Sequence, residues 1–190
     1  MNKKNLVKVL RESKVLAELI GIVLGDGHIH KFPRTEKLVI TCDKSQSNYI
    51  SHIYKLVERI FSKAPSLFNR KKGNVIDVCL YQCKISARLK IASGNKIRNN
   101  VGIPSWIFKS KKHVAACLKG LFETDGCFQK DNGNYAQYIE LKNCCERIRK
   151  DTFKALLLLG YNPQLGKNYV RLARREEVYN FKKAIKFREY

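Results

Sequence analysis

The 190-residue chain carries 38 lysines and arginines against 16 aspartates and glutamates, a formal charge of +22 that calls for a polyanionic partner. Its 44% hydrophobic and 10% aromatic content suits a packed core, which excludes a disordered basic tail as the source of that charge. No apolar run nears the roughly 20 residues that a bilayer-crossing helix needs, so no membrane partner is expected.

Residues 1–14 are polar and basic and lack the apolar stretch of a secretory signal, so an intracellular location is expected. Residues 15–25 are apolar almost all round, the mark of a helix buried on most of its surface. HIHKF (28–32) and KLVITCDK (37–44) read as two strands, and SQSNYISHIYKLVERIF (45–61) as an amphipathic helix. Two more strands near 66–70 and 75–81 flank the turn-forming KKGN, and a short helix near 85–92 follows. Residues 93–110, SGNKIRNNVGIPSWIFKS, are rich in Gly, Asn and Lys and read as a linker between units 1–92 and 111–190. The same order then recurs. CFQK, the turn DNGN and YAQYIELK precede the helix NCCERIRKDTFKALLLLG, whose stripe of Phe153, Leu156 and Leu157, with Tyr161 beyond it, reads as core. Strands near 163–167 and 169–173 around GKN, and a helix near 176–187, complete the second unit.

Seven cysteines (42, 79, 83, 117, 127, 144, 145) lie in largely hydrophobic segments and read as free, buried thiols of a reducing compartment. Their spacing does not suit a zinc knuckle, and His28, His30, His52 and His113 do not complete one, so no structural zinc is expected.

The recurrence is sharpest in LIGIVLGDG (19–27) and LKGLFETDG (118–126), where Leu, Gly, Asp and Gly coincide. Both halves are basic, +13 for residues 1–100 and +9 for 101–190, as two similar modules sharing one extended ligand would be. Ala17, Gly21 and Gly25 share one helix face, and so do Ala116, Gly120 and Thr124, a spacing that lets two helix backbones approach closely. Crossing there would set Asp26 beside Asp125. Helix C-termini are poor places for carboxylates, because the helix dipole and the second charge both oppose ionisation. A divalent cation reverses that, and paired carboxylates with free carbonyls are hard oxygen donors of the kind Mg²⁺ accepts.

These two motifs, at this separation and with the strand pairs and PSWI that accompany them, resemble the signature of the LAGLIDADG homing endonucleases in their single-chain form. The resemblance implies an α/β (α+β) fold of two pseudo-symmetric αββαββα units, with a central two-helix interface and two saddle-shaped antiparallel sheets. It implies a monomer that cuts both strands of a long double-stranded DNA target with a divalent metal, leaving short 3′ overhangs, as an intron- or intein-associated mobile element acting in a prokaryotic cytoplasm or an organelle. Mg²⁺ is the expected cofactor, with Mn²⁺ or Ca²⁺ able to take the same sites. The alternative is an RNA-splicing maturase, with intron RNA as partner, or a non-cleaving DNA-binding relative. By the motif match, Asp26 and Asp125 are the expected catalytic acids and metal ligands, with the carbonyls of Gly25 and Thr124 as further ligands. Lys44 and Lys142, 18 and 17 positions after the acids, match the family's basic residue at the end of the second strand. Two departures stand out. The sixth motif position is Leu24 in one copy and Glu123 in the other, and the family's amide beside the lysine is Asp43 in one half and Leu141 in the other, leaving Gln46 and Asn143 as candidates to order water.

Strands laid in a major groove offer alternate side chains to the bases. Alternation puts Ile29, Leu38 and Ile40 inward and His28, His30, Lys37 and Thr41 outward; in the second half it puts Phe128, Val170 and Leu172 inward and Gln129, Gln137, Tyr169 and Arg171 outward. Lys31, Arg34, Arg70, Lys71, Lys72 and Lys130 at hairpin tips, with Lys167, Asn168 and Arg174, are the remaining expected DNA contacts.

Overall fold

A computed structural model of the chain describes residues 10–71, 73–130 and 137–188. Helix α1 (Lys14–Gly25) leads into strands β1 (Gly27–Lys31) and β2 (Glu36–Asp43), helix α2 (Ser47–Phe61), strands β3 (Ser66–Asn69) and β4 (Val75–Gln82) and a short helix α3 (Ile85–Leu89). After a 3-10 turn (Ser105–Lys109) the order repeats as α4 (Lys111–Asp125), β5 (Gly126–Lys130), β6 (Gln137–Lys142), α5 (Glu146–Leu159), β7 (Gln164–Leu165), β8 (Tyr169–Leu172) and α6 (Arg175–Ile185). The doubled αββαββα order is the one the sequence implies. Local signals set several ends: Ser13 caps α1, its Oγ accepting from the Leu16 amide at 3.2 Å, and α5 stops at Gly160, whose φ of 95° belongs to the left-handed region. Helix α3 is shorter than periodicity suggests, because Lys90 turns left-handed at φ 58°.

The motif helices α1 and α4 cross at the centre of the molecule. A Cβ on Gly21 would collide with the Cys117 carbonyl oxygen and lie 2.8 Å from the Leu121 nitrogen; one on Gly120 would meet the Glu18 carbonyl and sit 2.9 Å from the Ile22 nitrogen. Backbone therefore touches backbone in both directions, the close crossing that the small residues foretell. Leu19, Ile20, Ile22, Leu24, Leu118, Leu121 and Phe122 are all buried around it, each contributing about 1.5–3 kcal/mol of burial energy. One continuous core runs through both halves.

The second half of residues 93–110, the stretch read as a linker, contributes to the core: Val101, Ile103, Trp106 and Ile107 are buried, and Asp151 Oδ2 accepts from the Ile103 amide at 2.9 Å, while Asn95 and residues 97–100 are exposed. Two core expectations need correction. Leu157 is exposed, since the apolar stripe of α5 runs wider than the face it buries. All seven cysteines are free, but Cys83, Cys127 and Cys144 are exposed while Cys42, Cys79, Cys117 and Cys145 are buried.

Each half carries a four-stranded antiparallel sheet, of order β1-β2-β4-β3 and β5-β6-β8-β7. Gly27 pairs with Ile40, 13 residues on, whereas Gly126 pairs with Leu141, 15 residues on. The second hairpin is thus two residues longer, and the positions equivalent to Thr41 and Cys42 are Lys142 and Asn143.

Candidate active centre and nucleic-acid interface

Asp26 closes α1 and Asp125 is the last residue of α4, so the helix crossing brings the two carboxylates together at one end of the interface. Asp26 is open to solvent on one side and enclosed by protein on the others. That enclosure, and then the charge of Asp125, push its carboxyl up to about 6, against the pull of Lys96. Asp125 is also raised by burial, opposed by a hydrogen bond from Asn143 Nδ2 to its Oδ2 at 2.7 Å and by Lys96.

Lys96, from the stretch read as a linker, is the cation that answers this charge. Its Nζ donates to the carbonyls of Leu24 at 2.7 Å and Gly25 at 2.5 Å, satisfying free oxygens at the end of α1, and both aspartates attract it. Burial nevertheless holds its pKa below the ordinary lysine value. A single ammonium, bonded to two carbonyls, thus lies within electrostatic reach of both carboxylates.

Strand register separates the two lysines that spacing had paired. Lys142 lines a cleft of about 570 Å³ together with Asp125, Lys96, Asn143, His28 and Asn168. Its ammonium lies 3.2 Å from Glu140 Oε1. Lys44 is three positions beyond the residue equivalent to Lys142 and turns outward, its Nζ donating to the Gly73 carbonyl at 3.4 Å. Matched distance from the motif does not give matched position, because the hairpins differ in length. The two centres differ as well: where Asn143 supports Asp125, the equivalent residue is Cys42, buried, its thiol pushed up to about 12 by burial and then by the charges of Asp26 and Asp77. Gln46 has its own backbone bond, to the Asp43 carbonyl at 3.1 Å. The Thr124 hydroxyl turns back to the Leu121 and Gly120 carbonyls, at 2.9 and 3.2 Å.

The outward faces carry the expected polar groups, arranged less freely than alternation suggests. His28 and His30 stand with ring centres 4.1 Å apart, and Lys37 lies 5.3 Å from the Tyr81 ring. Lys31, Arg34, Lys71, Lys167, Asn168 and Arg174 are exposed, Arg174 lying 3.6 Å from Glu177. Lys72 lies outside the described residues, as do the side chains of Lys130 and Gln137, whose backbones pair at the end of the second hairpin. Arg70 is held by Asp77 through Nε at 2.7 Å and Nη2 at 2.8 Å, and Nη2 also donates to Thr41 Oγ1 at 3.1 Å. Arg171 is held by Glu140 through Nε at 2.9 Å and Nη2 at 2.5 Å. Burial alone would raise both carboxylates; hydrogen bonds from the arginines, with Thr41 and Lys142 respectively, outweigh it and leave them low. Sequence reasoning missed Lys96, Asp77 and Glu140. The two acids had a signal, each interrupting an apolar strand (VIDVCLY, YIELK); Lys96 had none beyond its charge.

Residues 112–190 match the family described as a LAGLIDADG-like domain. The fold is similar to that of the homing endonuclease I-DmoI in complex with DNA and Mn, with a TM-score of 0.64 at 17% identity over 93% of this chain and 98% of that one. Full-length WhiA from Thermatoga maritima aligns at TM-score 0.64 and 18% identity, over 96% of this chain and 59% of that one. In sequence, the chain is 26% identical over 167 residues to the ribonucleoside-diphosphate reductase NrdEB subunit alpha of Bacillus subtilis (strain 168), and equally to that of Bacillus phage SPbeta. The match takes in 82% of this chain but spans only 15% of the length of those reductase subunits. Residues 112–190 thus form a LAGLIDADG-like domain, and the chain carries the motif twice on the two-sheet fold it shares with I-DmoI.

Proposed function

We propose that the chain is a site-specific DNA endonuclease that acts as a monomer and hydrolyses one phosphodiester bond in each strand with a divalent cation, leaving short 3′ overhangs. The observation that carries this reading is the pairing of Asp26 and Asp125 at the helix crossing, with Lys96 bonded to the adjoining Leu24 and Gly25 carbonyls. A protein that only bound DNA would have no use for two mutually repelling carboxylates beside its polyanionic ligand.

The residues fit a hard divalent ion. The Asp26 and Asp125 carboxylates and the Gly25 carbonyl would hold it, with the Thr124 carbonyl as a further candidate. Among the described residues no three Asp, Glu, His or Cys side chains converge into a full cage, so the rest of the shell falls to water and phosphate, as Mg²⁺ prefers. When bound, such an ion polarises the phosphate and lowers the pKa of bound water. Asn143 fixes Asp125 through its hydrogen bond, and Lys96 would offset charge on the attacked phosphate. Lys142, at the cleft wall, would contact the backbone next to it.

A second reading is a non-cleaving DNA-binding protein, because sharing a fold with I-DmoI and WhiA fixes the architecture and not the cleavage chemistry. Retention of both acids together with Lys96 favours cleavage. The reductase match, filling 15% of a longer chain, supports carriage inside a host protein over a free-standing or intron-RNA-binding role.

Incubating the protein and Mg²⁺ with a plasmid library bearing randomised 24-bp inserts, then sequencing linearised ends, tests this. One motif with short 3′ overhangs is expected, lost in Asp26→Asn and Asp125→Asn. Enrichment of a bound motif with no linearisation would establish the non-cleaving reading instead.

A further inference from the structure

The two clamped arginines on the sheets are not equivalent, and the difference bears on sequence recognition. An arginine that only neutralises phosphate gains nothing from a buried carboxylate partner, which cancels the charge it would offer. A base-reading arginine gains orientation from one, because the pair fixes the plane and direction of the guanidinium.

Arg171 is fixed on every side but one. Its Nε and Nη2 both donate to Glu140 Oε2, at 2.9 and 2.5 Å, and Glu140 is 2% exposed, its other oxygen 3.2 Å from Lys142. Its guanidinium carbon lies 4.2 Å from the Tyr138 ring centre and 4.7 Å from that of Tyr169, and the Tyr138 hydroxyl is tied to Gln129 Oε1 at 2.6 Å. Side-on pairing through Nε and Nη2 leaves the end-on fork of Nη1 and Nη2 unused, and 29% of the side chain remains accessible. That fork is the one that bonds guanine O6 and N7. On the other sheet, Thr41 takes a second hydrogen of Arg70 Nη2, so its end-on fork is already half spent.

Resting on the DNA-binding reading above, we infer that Arg171 reads a single guanine in the major groove of the half-site beneath the second sheet, with Glu140 as its positioning residue, whereas Arg70 does not read a base this way. Its location along the duplex follows from register. Lys142, at the cleft, pairs with Tyr169, and Glu140 pairs with Arg171 two residues further out. Two residues of strand span about 7 Å and a base pair rises about 3.4 Å, which sets the guanine about two to four base pairs outward from the cleft.

The experiment is binding selection from a randomised 30-bp duplex library with the full chain in Ca²⁺, recovering intact DNA and repeating at several salt concentrations. Wild type should enrich a motif with one near-invariant G on the second-sheet side. Arg171→Lys, which keeps the charge, should lose discrimination at that position alone, by at least roughly fivefold, with affinity for the wild-type motif falling by a similar factor and the salt slope little changed. Glu140→Gln should loosen the same position and no other, and Arg70→Lys should leave every position as in wild type. If Arg171→Lys and Glu140→Gln keep the full wild-type motif, the inference is overturned while the DNA-binding reading stands. Failure of the wild type to enrich any motif overturns both.

Discussion

Replacing Asp26 by asparagine should make the metal-free protein more stable while abolishing cleavage. The Asp26 carboxyl is raised from 3.8 to about 6 by enclosure and by Asp125. Between those two pH values the native state binds more protons than the unfolded chain, so stability falls as pH rises through that window and stays lower above it. A shift of about two units corresponds to ~3 kcal/mol at most. Because Asp26 is open to water on one side, screening reduces this to about 1 kcal/mol. Asparagine keeps the shape and removes the charge. In EDTA at pH 7.5 the variant should melt higher by about 2–4 °C, and the two curves should converge near pH 4. Saturating Mg²⁺ should reverse the order, because only the wild type gains binding energy, about 2.7 kcal/mol at a hundred times Kd. A variant no more stable at pH 7.5 than wild type, or a gap as large at pH 4, would refute the picture of two carboxylates held together against their repulsion.

Lys96→Met should cut the cleavage rate by roughly 100-fold or more with near-normal DNA affinity, measured as single-turnover rates beside filter binding; equal rates would remove Lys96 from the chemistry. Asn143→Ala takes away the hydrogen bond that lowers the Asp125 pKa, so the acid limb of the pH–rate profile should move to higher pH, with the alkaline limb unchanged. Gly120→Ala drives a Cβ into the Glu18 carbonyl and the Ile22 nitrogen, both backbone, and should cost about 1–3 kcal/mol in a urea melt; a neutral result would show that the helices are not in close contact. Binding should fall by roughly 10³-fold between 50 and 200 mM salt if six or more phosphates are neutralised, and a shallow slope would argue against two basic sheets tracking one duplex.

The parts of the fold legible in the sequence were those written locally or written twice. Apolar periodicity marked the helices, and the repetition of LIGIVLGDG as LKGLFETDG fixed the pairing of Asp26 with Asp125. What escaped was set by distance along the chain. Lys96 reaches Gly25 across 71 residues, and Arg171 reaches Glu140 across 31; no local pattern encodes such meetings. Lys44 and Lys142 show a subtler loss. They sit at nearly equal separations from their motifs, yet two extra residues in the second hairpin shift the register, and only the pairing of Gly27 with Ile40 and of Gly126 with Leu141 exposes it. Composition likewise hid the linker's role: SGNKIRNN reads as a tether by its Gly and Asn content, while the VGIPSWIF that follows supplies buried core.

The motif's apolar and acidic residues are two halves of one device. Carboxylates at adjoining helix ends repel, and the packing behind them, with the Asn143 hydrogen bond and the charge of Lys96, holds them there. Gly21 and Gly120 let the α1 and α4 backbones touch, so that Leu19, Ile22, Leu118 and Leu121 are fully buried beside the crossing. At about 1.5–3 kcal/mol for each such side chain, the crossing outweighs several times over the cost of about 1 kcal/mol of enclosing the Asp26 charge and setting it beside Asp125. Lys96 trims the remainder without cancelling it, because its own burial opposes its charge. The oxygen cluster is therefore left short of positive charge inside a chain whose surface has 22 charges to spare. Surface lysines cannot make good that deficit, since their ammonium groups are bulky and strongly hydrated, whereas a small divalent ion can.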